Sequence, residues 1–244
     1  KTSTLYAAVN EINDSLRKII TIEDPVEYNM KGVNQIQVST KAGLTFARGL
    51  RSILRHDPDV VLIGEIRDPE TAQIAVQASL TGHLVFSTLH TNDASGALTR
   101  LVDMHVEPYL VASAVEAVLA QRLVRVLCPR CKSEDASGAA NSFKASIGLA
   151  AADTLYKAHG CEICRMTGFH GRRGIFEFMR LNEEIRALVL ERASAGGIRE
   201  AARRYGLRSL SEDGWRIVGE GATTVEEVLR VSRDERQSDS DAAP

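Results

Sequence analysis

Three short apolar runs in the sequence each end at a residue that could act on a phosphate group. KIITIE ends at Glu23, VVLIGE ends at Glu65, and LVFSTLH ends at His90. Carboxylates can hold Mg²⁺ directly or through its waters, and a water activated in this way can attack a phosphate. Acidic residues also follow strands because loops are solvated, so no single one identifies a site. If the three runs are neighbouring strands, they predict one edge that binds Mg²⁺ and a phosphate.

The elements that must position these residues alternate along the first half of the chain. Apolar runs typical of buried strands are separated by segments with helical periodicity, and Val60–Ile63 is apolar throughout, as expected of a strand covered on both faces. This alternation predicts an α/β domain with a largely parallel sheet, in which ligands bind beyond the carboxyl ends of the strands. The predicted helices are 2–18, 44–54 and 70–80, and the predicted strands are 18–23, 33–38, 60–63 and 84–89.

The first two residues, Lys1 and Thr2, are followed directly by a predicted helix. A phosphate loop has the pattern G-x-x-x-x-G-K-[ST] and opens a helix, and only its last two positions fall within this sequence. One helix before the run that ends at Glu23, the pair is typical of a Walker A loop cut at its lysine. We therefore expect this chain by itself to lack the glycine N–H groups that cradle phosphates.

The four cysteines form two C-x-x-C pairs, Cys128 with Cys131 and Cys161 with Cys164. Each pair can offer two thiolates to one ion, so together they can complete a tetrahedral Cys₄ site for Zn²⁺. The spacer 132–160 is longer than the usual length of about 15–20 residues. A redox pair and disulfides are the alternatives, but two copies in a chain without a secretory signal favour zinc. Such a closed site is structural, because it holds together a segment too small to form its own core.

Composition and patterning divide the chain into four predicted segments. Residues 1–127 carry the strand–helix alternation, and 128–171 form the loop-rich tetracysteine segment. Residues 172–232 begin with a strand at 174–179 and continue as helices, whereas 233–244 are polar and predicted to be disordered. The helices expected in the third segment are 182–192, 196–205, 209–219 and 223–231.

Charge and hydropathy count against a nucleic-acid-binding protein and against a membrane-spanning protein. The 30 Lys and Arg residues are balanced by 32 Asp and Glu residues, which disfavours electrostatic binding of nucleic acid. Only 5% of residues are aromatic, so a base-stacking platform is not expected. No apolar run approaches the roughly 18 residues that span a bilayer, and no signal-peptide pattern opens the chain.

Three motifs together resemble the ATPases of type II secretion and type IV pilus assembly, over nearly the whole chain from Lys1 to about Ser232. TIEDPVEY resembles the aspartate box of that family, DVVLIGEIRD its Walker B element, and TGHLVFSTLHT its histidine box. The tetracysteine segment and the strand GRRGIFEFM resemble the assembly and export members, since the retraction ATPases of pili lack those cysteines. Each motif alone is weaker evidence for the resemblance than the combination of all of them.

The resemblance implies a RecA-like P-loop ATPase core, a Cys₄ zinc-binding insertion and a carboxyl-terminal helical subdomain, with ATP, Mg²⁺ and Zn²⁺ as cofactors. Carried over residue by residue, it makes Glu23 the general base or water-positioning residue and Glu65 the Walker B carboxylate near Mg²⁺. Lys1 and Thr2 would contact the phosphates and Mg²⁺, and His90 would sense the γ-phosphate.

In function, the resemblance implies a cytoplasmic homo-hexameric motor at the periphery of the inner membrane. ATP hydrolysis would drive pseudopilus assembly and protein export, through an inner-membrane platform protein and the cytoplasmic domains of other machinery proteins. Type IV pilus assembly is the alternative within the family, although the carboxyl-terminal helices resemble the secretion type slightly more. From other classes, a catalytically incomplete zinc-containing scaffold and a nucleic-acid-binding module are the alternatives.

The other histidines and several arginines allow two interpretations. His83 and His90 bracket one predicted strand and so lie roughly 20 Å apart, too far to contact one phosphate together. His83 is therefore expected to have a structural role or to contact a neighbouring subunit. The arginines that either form a solvated basic surface or contact a phosphate or a subunit are Arg48, Arg51, Arg55 and Arg67.

Overall fold

The predicted alternation of strands and helices is present in the computed structural model, which describes residues 1–14, 16–136 and 154–232. The first strands are β1 (Ile19–Glu23), β2 (Asn34–Gln37), β3 (Val60–Ile63) and β4 (Leu84–Ser87). The first helices are α1 (Thr2–Ile12), α2 (Phe46–Ile53), α3 (Pro69–Leu80), α4 (Ala94–Asp103) and α5 (Pro108–Ala114).

These strands form a parallel sheet in the order β2-β1-β3-β4. Ile22 of β1 pairs with Ile36 of β2 and with Ile63 of β3, and Ile63 pairs in turn with Ser87 of β4. The carboxyl ends of all these strands therefore meet at one edge. The predicted α/β class with a parallel sheet is confirmed.

Helices α1 and α2 cover opposite faces of the sheet, because successive side chains of a strand alternate between faces. On one face, Ile22 contacts α2 at Gly49, where a Cβ would lie 2.1 Å from the Ile22 Cδ1, so the glycine lets this helix approach β1. On the other face, Ile19 packs under α1, and Glu23 must point to the same side. The buried cluster under α1 contains Val9, Ile19, Val60 and Leu62.

Helix α1 is shorter than predicted, since it ends at Ile12 instead of residue 18. The Asp14 side chain accepts a hydrogen bond from the Leu16 N–H at 3.0 Å, and the Asn13 side chain donates to the Lys31 carbonyl at 2.8 Å. Side-chain bonds of this kind compete with the backbone bonds that continue a helix. Leu16, which lies within the predicted helix but beyond its observed end, is 88% exposed.

The remaining strands are β5 (Ala117–Leu127), β6 (Ser133–Glu134), β7 (Tyr156–Lys157) and β8 (Phe169–Arg180), with β5 paired to β8 and β6 to β7. The helices after them are α6 (Glu183–Leu190), α7 (Ala195–Arg204), α8 (Leu210–Gly219) and α9 (Val225–Ser232). The sequence does not predict β5, because its Ala, Leu, Gln and Arg residues favour helix. Pairing with β8 overrides that local preference.

Two compact units make up the chain, and both are discontinuous in sequence. The first comprises 1–91, 95–118 and 180–198, and the second comprises the described residues of 92–94, 119–179 and 199–244. The second unit has its own core, which contains Val124, Leu155, Ile175, Leu210, Trp215, Ile217, Val218 and Val228.

The four predicted segment boundaries stay predictions. The predicted disordered tail 233–244 lies outside the described residues, as does most of the Ala- and Ser-rich part of the spacer. Over the ranges that the structure covers, no helix combines the length and the apolar character needed to cross a bilayer.

Candidate functional site

A cleft opens at the carboxyl edge of the parallel sheet, within the first unit. The predicted residues Lys1, Thr2, Glu23 and Glu65 all line it, and His90 reaches it through a contact to Glu65. The structure thus brings together every residue that the sequence assigned to a phosphate site. The other residues lining the cleft are Leu5, Tyr6, Asp24, Pro25, Glu27, Phe46, Leu62, Gly64 and Thr88.

Glu65 is held by two cationic or potentially cationic groups. Its Oε2 accepts a hydrogen bond from Arg67 Nε at 2.5 Å and lies 2.9 Å from His90 Nε2. Burial acts to raise the pKa of Glu65, but the bonds to His90 and Arg67 outweigh it and keep the pKa below its ordinary value. The side chain is therefore an anion at neutral pH, as a ligand of a hydrated Mg²⁺ must be.

Glu23 is 2% exposed, and hydrogen bonds occupy both of its carboxylate oxygens. Tyr6 donates its hydroxyl to Oε2 at 2.5 Å, and Thr21 donates its hydroxyl to Oε1 at 2.6 Å. Gln35 Nε2 also lies 3.3 Å from Oε1. Three neighbours thus fix the orientation of this carboxylate at the wall of the cleft.

Lys1 lies at the amino end of α1, where its carbonyl accepts hydrogen bonds from the N–H groups of Thr4 and Leu5. Its Nζ donates to the Leu89 carbonyl at 2.7 Å, next to His90. A helix amino terminus carries partial positive charge and favours anions. Together with the Lys1 ammonium and the Thr2 hydroxyl, it makes this end of the cleft suited to phosphate.

Gly64 allows the ends of β1 and β3 to lie close together beneath the cleft. Its N–H donates to the Ile22 carbonyl at 2.8 Å, and its own carbonyl accepts from the Thr88 hydroxyl at 2.8 Å. A Cβ at this position would lie 3.3 Å from the Glu23 Cα. Because that neighbour is backbone, any side chain at 64 would push the strand ends apart.

The sequence analysis missed Tyr6 and Glu27, which also line the cleft. Tyr6 lies on the buried side of α1, and a buried tyrosine hydroxyl needs a hydrogen-bond partner, so its presence there was a usable signal. Glu27 belongs to the TIEDPVEY motif and, unlike Glu23, is exposed. The cleft therefore has two carboxylates from this motif that are open to solvent, Asp24 and Glu27.

Of the residues left ambiguous, His83, Arg48 and Arg51 have local partners in the structure, and Arg67 pairs with Glu65 of the cleft. His83 Nδ1 lies 2.9 Å from the Ala78 carbonyl in the last turn of α3. Arg51 pairs with Glu70, and Arg48 donates to the Gly43 carbonyl.

The four cysteines converge on one point in the second unit. Their sulfur atoms all lie within 4.8 Å of one another, and three of the separations are 3.7, 3.8 and 3.9 Å. A tetrahedron of sulfurs at a Zn–S distance of about 2.3 Å has edges of about 3.8 Å. The sulfurs are too far apart for disulfides, whose S–S bonds are about 2.05 Å. The arrangement fits one tetrahedral metal ion.

Backbone N–H groups point at these sulfurs and favour their anionic form. Cys164 accepts from the N–H of Cys161 at 3.1 Å and of Gly168 at 3.2 Å, and Cys131 accepts from Gly160 at 3.4 Å. Burial acts to raise the pKa of Cys164, but these N–H groups lower it to about 6. The loop thus stabilises the thiolate of Cys164, whereas burial outweighs the Gly160 N–H at Cys131 and raises the pKa of that thiol to about 11.

Comparison with known proteins places these features in a family. A family model described as "Type II/IV secretion system protein" matches residues 1–230. Type II secretion system protein E of Pseudomonas aeruginosa is 54% identical over 96% of this chain and 47% of its own length. Type II secretion system ATPase E of Vibrio cholerae is 48% identical over 96% of this chain and 46% of its own. The chain thus spans about half the length of these curated relatives.

Solved structures share the fold. The pilus retraction motor PilT, solved with bound ADP, superimposes with a TM-score of 0.70 at 27% identity, covering 97% of this chain and 59% of that one. The Legionella pneumophila ATPase DotB superimposes with a TM-score of 0.66 at 22% identity, covering 95% and 56%. The chain therefore has the fold of the secretion and pilus ATPases over nearly its whole length.

Proposed function

Because the chain belongs to the type II/IV secretion system protein family, we propose that it is the ATP-hydrolysing part of a type II secretion motor. The observation that carries the proposal is the convergence of Lys1, Thr2 and the anionic Glu65 on one cleft at the carboxyl edge of the sheet. Relatives at 54% and 48% identity bear type II secretion names, which supports secretion over pilus assembly. The net charge of −2 gives no support to a nucleic-acid-binding module.

Each residue of the cleft has a proposed part in hydrolysis. Lys1 and the amino end of α1 would bind the phosphates, and the Thr2 hydroxyl and the Glu65 carboxylate would hold Mg²⁺ and its waters. When bound, Mg²⁺ would neutralise charge that develops on the phosphates. His90, in contact with Glu65, senses whether the γ-phosphate is present.

The three carboxylates of the TIEDPVEY motif, Glu23, Asp24 and Glu27, divide the water-positioning role that the resemblance assigned to Glu23. The oxygens of Glu23 already accept hydrogen bonds from Tyr6 and Thr21, so Glu23 orders the motif at the wall of the cleft. Asp24 and Glu27 are exposed and line the same cleft, so their carboxylates can approach an attacking water.

The cysteine cluster is proposed to hold one Zn²⁺ with a structural role. Its four sulfurs have the spacing of a closed tetrahedral site, which leaves no position for a substrate. At the level of the assembly, we propose a cytoplasmic homo-hexamer at the inner membrane. The hexamer would transmit motion to an inner-membrane platform protein and to the cytoplasmic domains of other proteins of the secretion machinery.

The experiment that tests this function replaces Glu65 by Gln in the full-length protein and measures ATP hydrolysis. We expect turnover to fall by about 100-fold or more, because a neutral amide cannot hold a hydrated Mg²⁺ in place. Glu11→Gln is the matched control, since Glu11 is exposed on α1 and does not line the cleft. An unmodified full-length protein that hydrolyses no ATP overturns the function, and full turnover by Glu65→Gln overturns the assigned role.

A further inference from the structure

Tyr6 joins the helix that begins at Lys1 to the segment that carries the carboxylates of the cleft. We propose that Tyr6 is a positioning residue for hydrolysis, which fixes Glu23 and the backbone at Glu27 in the place needed for the chemical step. This inference rests on the proposed ATPase function. Tyr6 lies outside the Lys1–Thr2 pair and outside the motifs TIEDPVEY, DVVLIGEIRD and TGHLVFSTLHT.

The Tyr6 hydroxyl uses its full hydrogen-bonding capacity. It donates to Glu23 Oε2 at 2.5 Å and accepts from the Glu27 N–H at 3.3 Å and from Gln35 Nε2 at 3.3 Å. A phenol has one donor and two acceptor positions, so this arrangement leaves none free. The hydroxyl therefore connects three points of the chain: the end of β1, the loop after it, and β2.

The direction of these hydrogen bonds is fixed because the Tyr6 phenol keeps its proton. Burial and the hydrogen bond to Glu23 raise the pKa of Tyr6 to about 12, so the phenol stays protonated throughout the physiological range. It is a permanent donor to Glu23, and its oxygen remains available to the Glu27 N–H. The hydrogen bonds of the Tyr6 hydroxyl therefore do not depend on its gaining or losing a proton.

The position of Tyr6 on α1 explains why its hydrogen bonds to Glu23 and Glu27 should matter for catalysis. Five residues along a helix cover about 7.5 Å, so the hydroxyl is tied to the same rigid helix that starts at Lys1 and Thr2. The backbone at Glu27 is therefore held at a set distance from the amino end of α1, and the Glu27 side chain extends from that fixed point. Removal of the hydroxyl should leave nucleotide binding intact and impair the step that needs a well-placed carboxylate.

The test compares Tyr6→Phe with Tyr28→Phe in the full-length protein. The Tyr28 ring packs edge-on against Tyr6 with centroids 4.7 Å apart and is 59% exposed, so its variant makes the same chemical change beside the same ring. We expect Tyr6→Phe to lower kcat by about 10- to 100-fold with KM for ATP changed less than about twofold. Hydrogen exchange of the Glu27 amide should also become faster. Tyr28→Phe should change neither quantity.

A second variant protects the test against a general loss of folding. Glu23→Gln keeps the size of the side chain but weakens the bond from Tyr6, so it should show the same kcat-selective loss. The double variant should be no slower than the slower single one, because both act through one link. An unchanged kcat in Tyr6→Phe, an equal loss in Tyr28→Phe, or fully additive losses would overturn the inference.

The proposed function is judged separately in the same assay. If the unmodified protein is active and Glu65→Gln is not, whereas Tyr6→Phe is as fast as the unmodified protein, only the positioning role fails. If the unmodified protein is inactive, the function itself fails.

Discussion

His90 Nε2 lies 2.9 Å from Glu65 Oε2, although the two residues are 25 positions apart in the chain. Their strands, β4 and β3, are parallel neighbours, so the residues that follow them meet at the same edge of the sheet. His90 is 68% exposed, whereas Glu65 is 13% exposed. One partner is thus anchored in the wall of the cleft and the other is free to move toward a ligand.

We predict that substitution of His90 lowers activity and that substitution of His83, in the same TGHLVFSTLHT segment, lowers stability. His90→Ala should lower kcat of the full-length protein by at least about 10-fold and change the free energy of unfolding by less than about 0.5 kcal/mol, because the side chain is exposed. His83→Ala should cost about 1 kcal/mol of stability and leave kcat unchanged, since it removes the bond to the Ala78 carbonyl.

ATPase assays and chemical denaturation of both variants check this pair of effects. A His90→Ala protein with normal turnover contradicts the proposed sensor. A His83→Ala protein that loses turnover but keeps its stability would show that the assignment of the two histidines is reversed.

We predict one tightly bound zinc ion per chain, held by the four thiolates. Cys161→Ser should lower zinc affinity by at least 10-fold, about the smallest loss expected from removal of one ligand. The described residues within 128–171 should then be cleaved by protease, while the parallel sheet stays protected. Cys161→His is the control, because it restores a nitrogen ligand that zinc accepts.

Elemental analysis of freshly purified, reduced protein and limited proteolysis measure these outcomes. Protein without zinc but with the same protease resistance would count against a structural metal. So would a Cys161→Ser variant that retains a full complement of the ion.

We predict that Glu227 stabilises the second unit in a pH-dependent way. This buried carboxylate accepts hydrogen bonds from Arg125 at 2.8 Å and from Arg230 at 2.6 Å. Burial opposes its ionisation, but the two arginines lower its pKa from 4.5 to about 2. Glu227→Gln should therefore cost about 1–3 kcal/mol at pH 7.

The sign of the pH effect follows from the depressed pKa. The contribution of Glu227 is complete above about pH 5 and is lost as pH falls through 4.5 toward 2, where the folded state also takes up the proton. Denaturation at several pH values should show the gap between wild type and Glu227→Gln close over this range. Glu226→Gln, an exposed neighbour in the first turn of the same helix, should show little gap at any pH. A gap for Glu227→Gln that is constant with pH would refute the assignment.

The local sequence pattern was enough to predict those features that depend on residues close together in the chain. The apolar run Val60–Ile63 predicts a strand because neighbouring residues determine burial on both faces, and the C-x-x-C spacing predicts that the two sulfurs of each pair lie close together. Parallel strands must carry their following residues to one edge. For this reason Glu23, Glu65 and His90 could be expected near one cleft before any coordinates were known.

Only the tertiary structure decided what each of those residues is free to do. Glu23 and Glu65 both follow apolar runs of the sequence, yet the oxygens of Glu23 are taken by Tyr6, 17 residues away, and by Thr21. Strand β5 forms against local preference because β8 pairs with it, and Leu16 is exposed because the Asp14 side chain takes the Leu16 N–H that a longer helix would use. Hydrogen-bond partners that are distant in sequence carry no periodic signal, so the chemistry of a carboxylate is determined by folding, whereas its position at a strand end is determined by sequence.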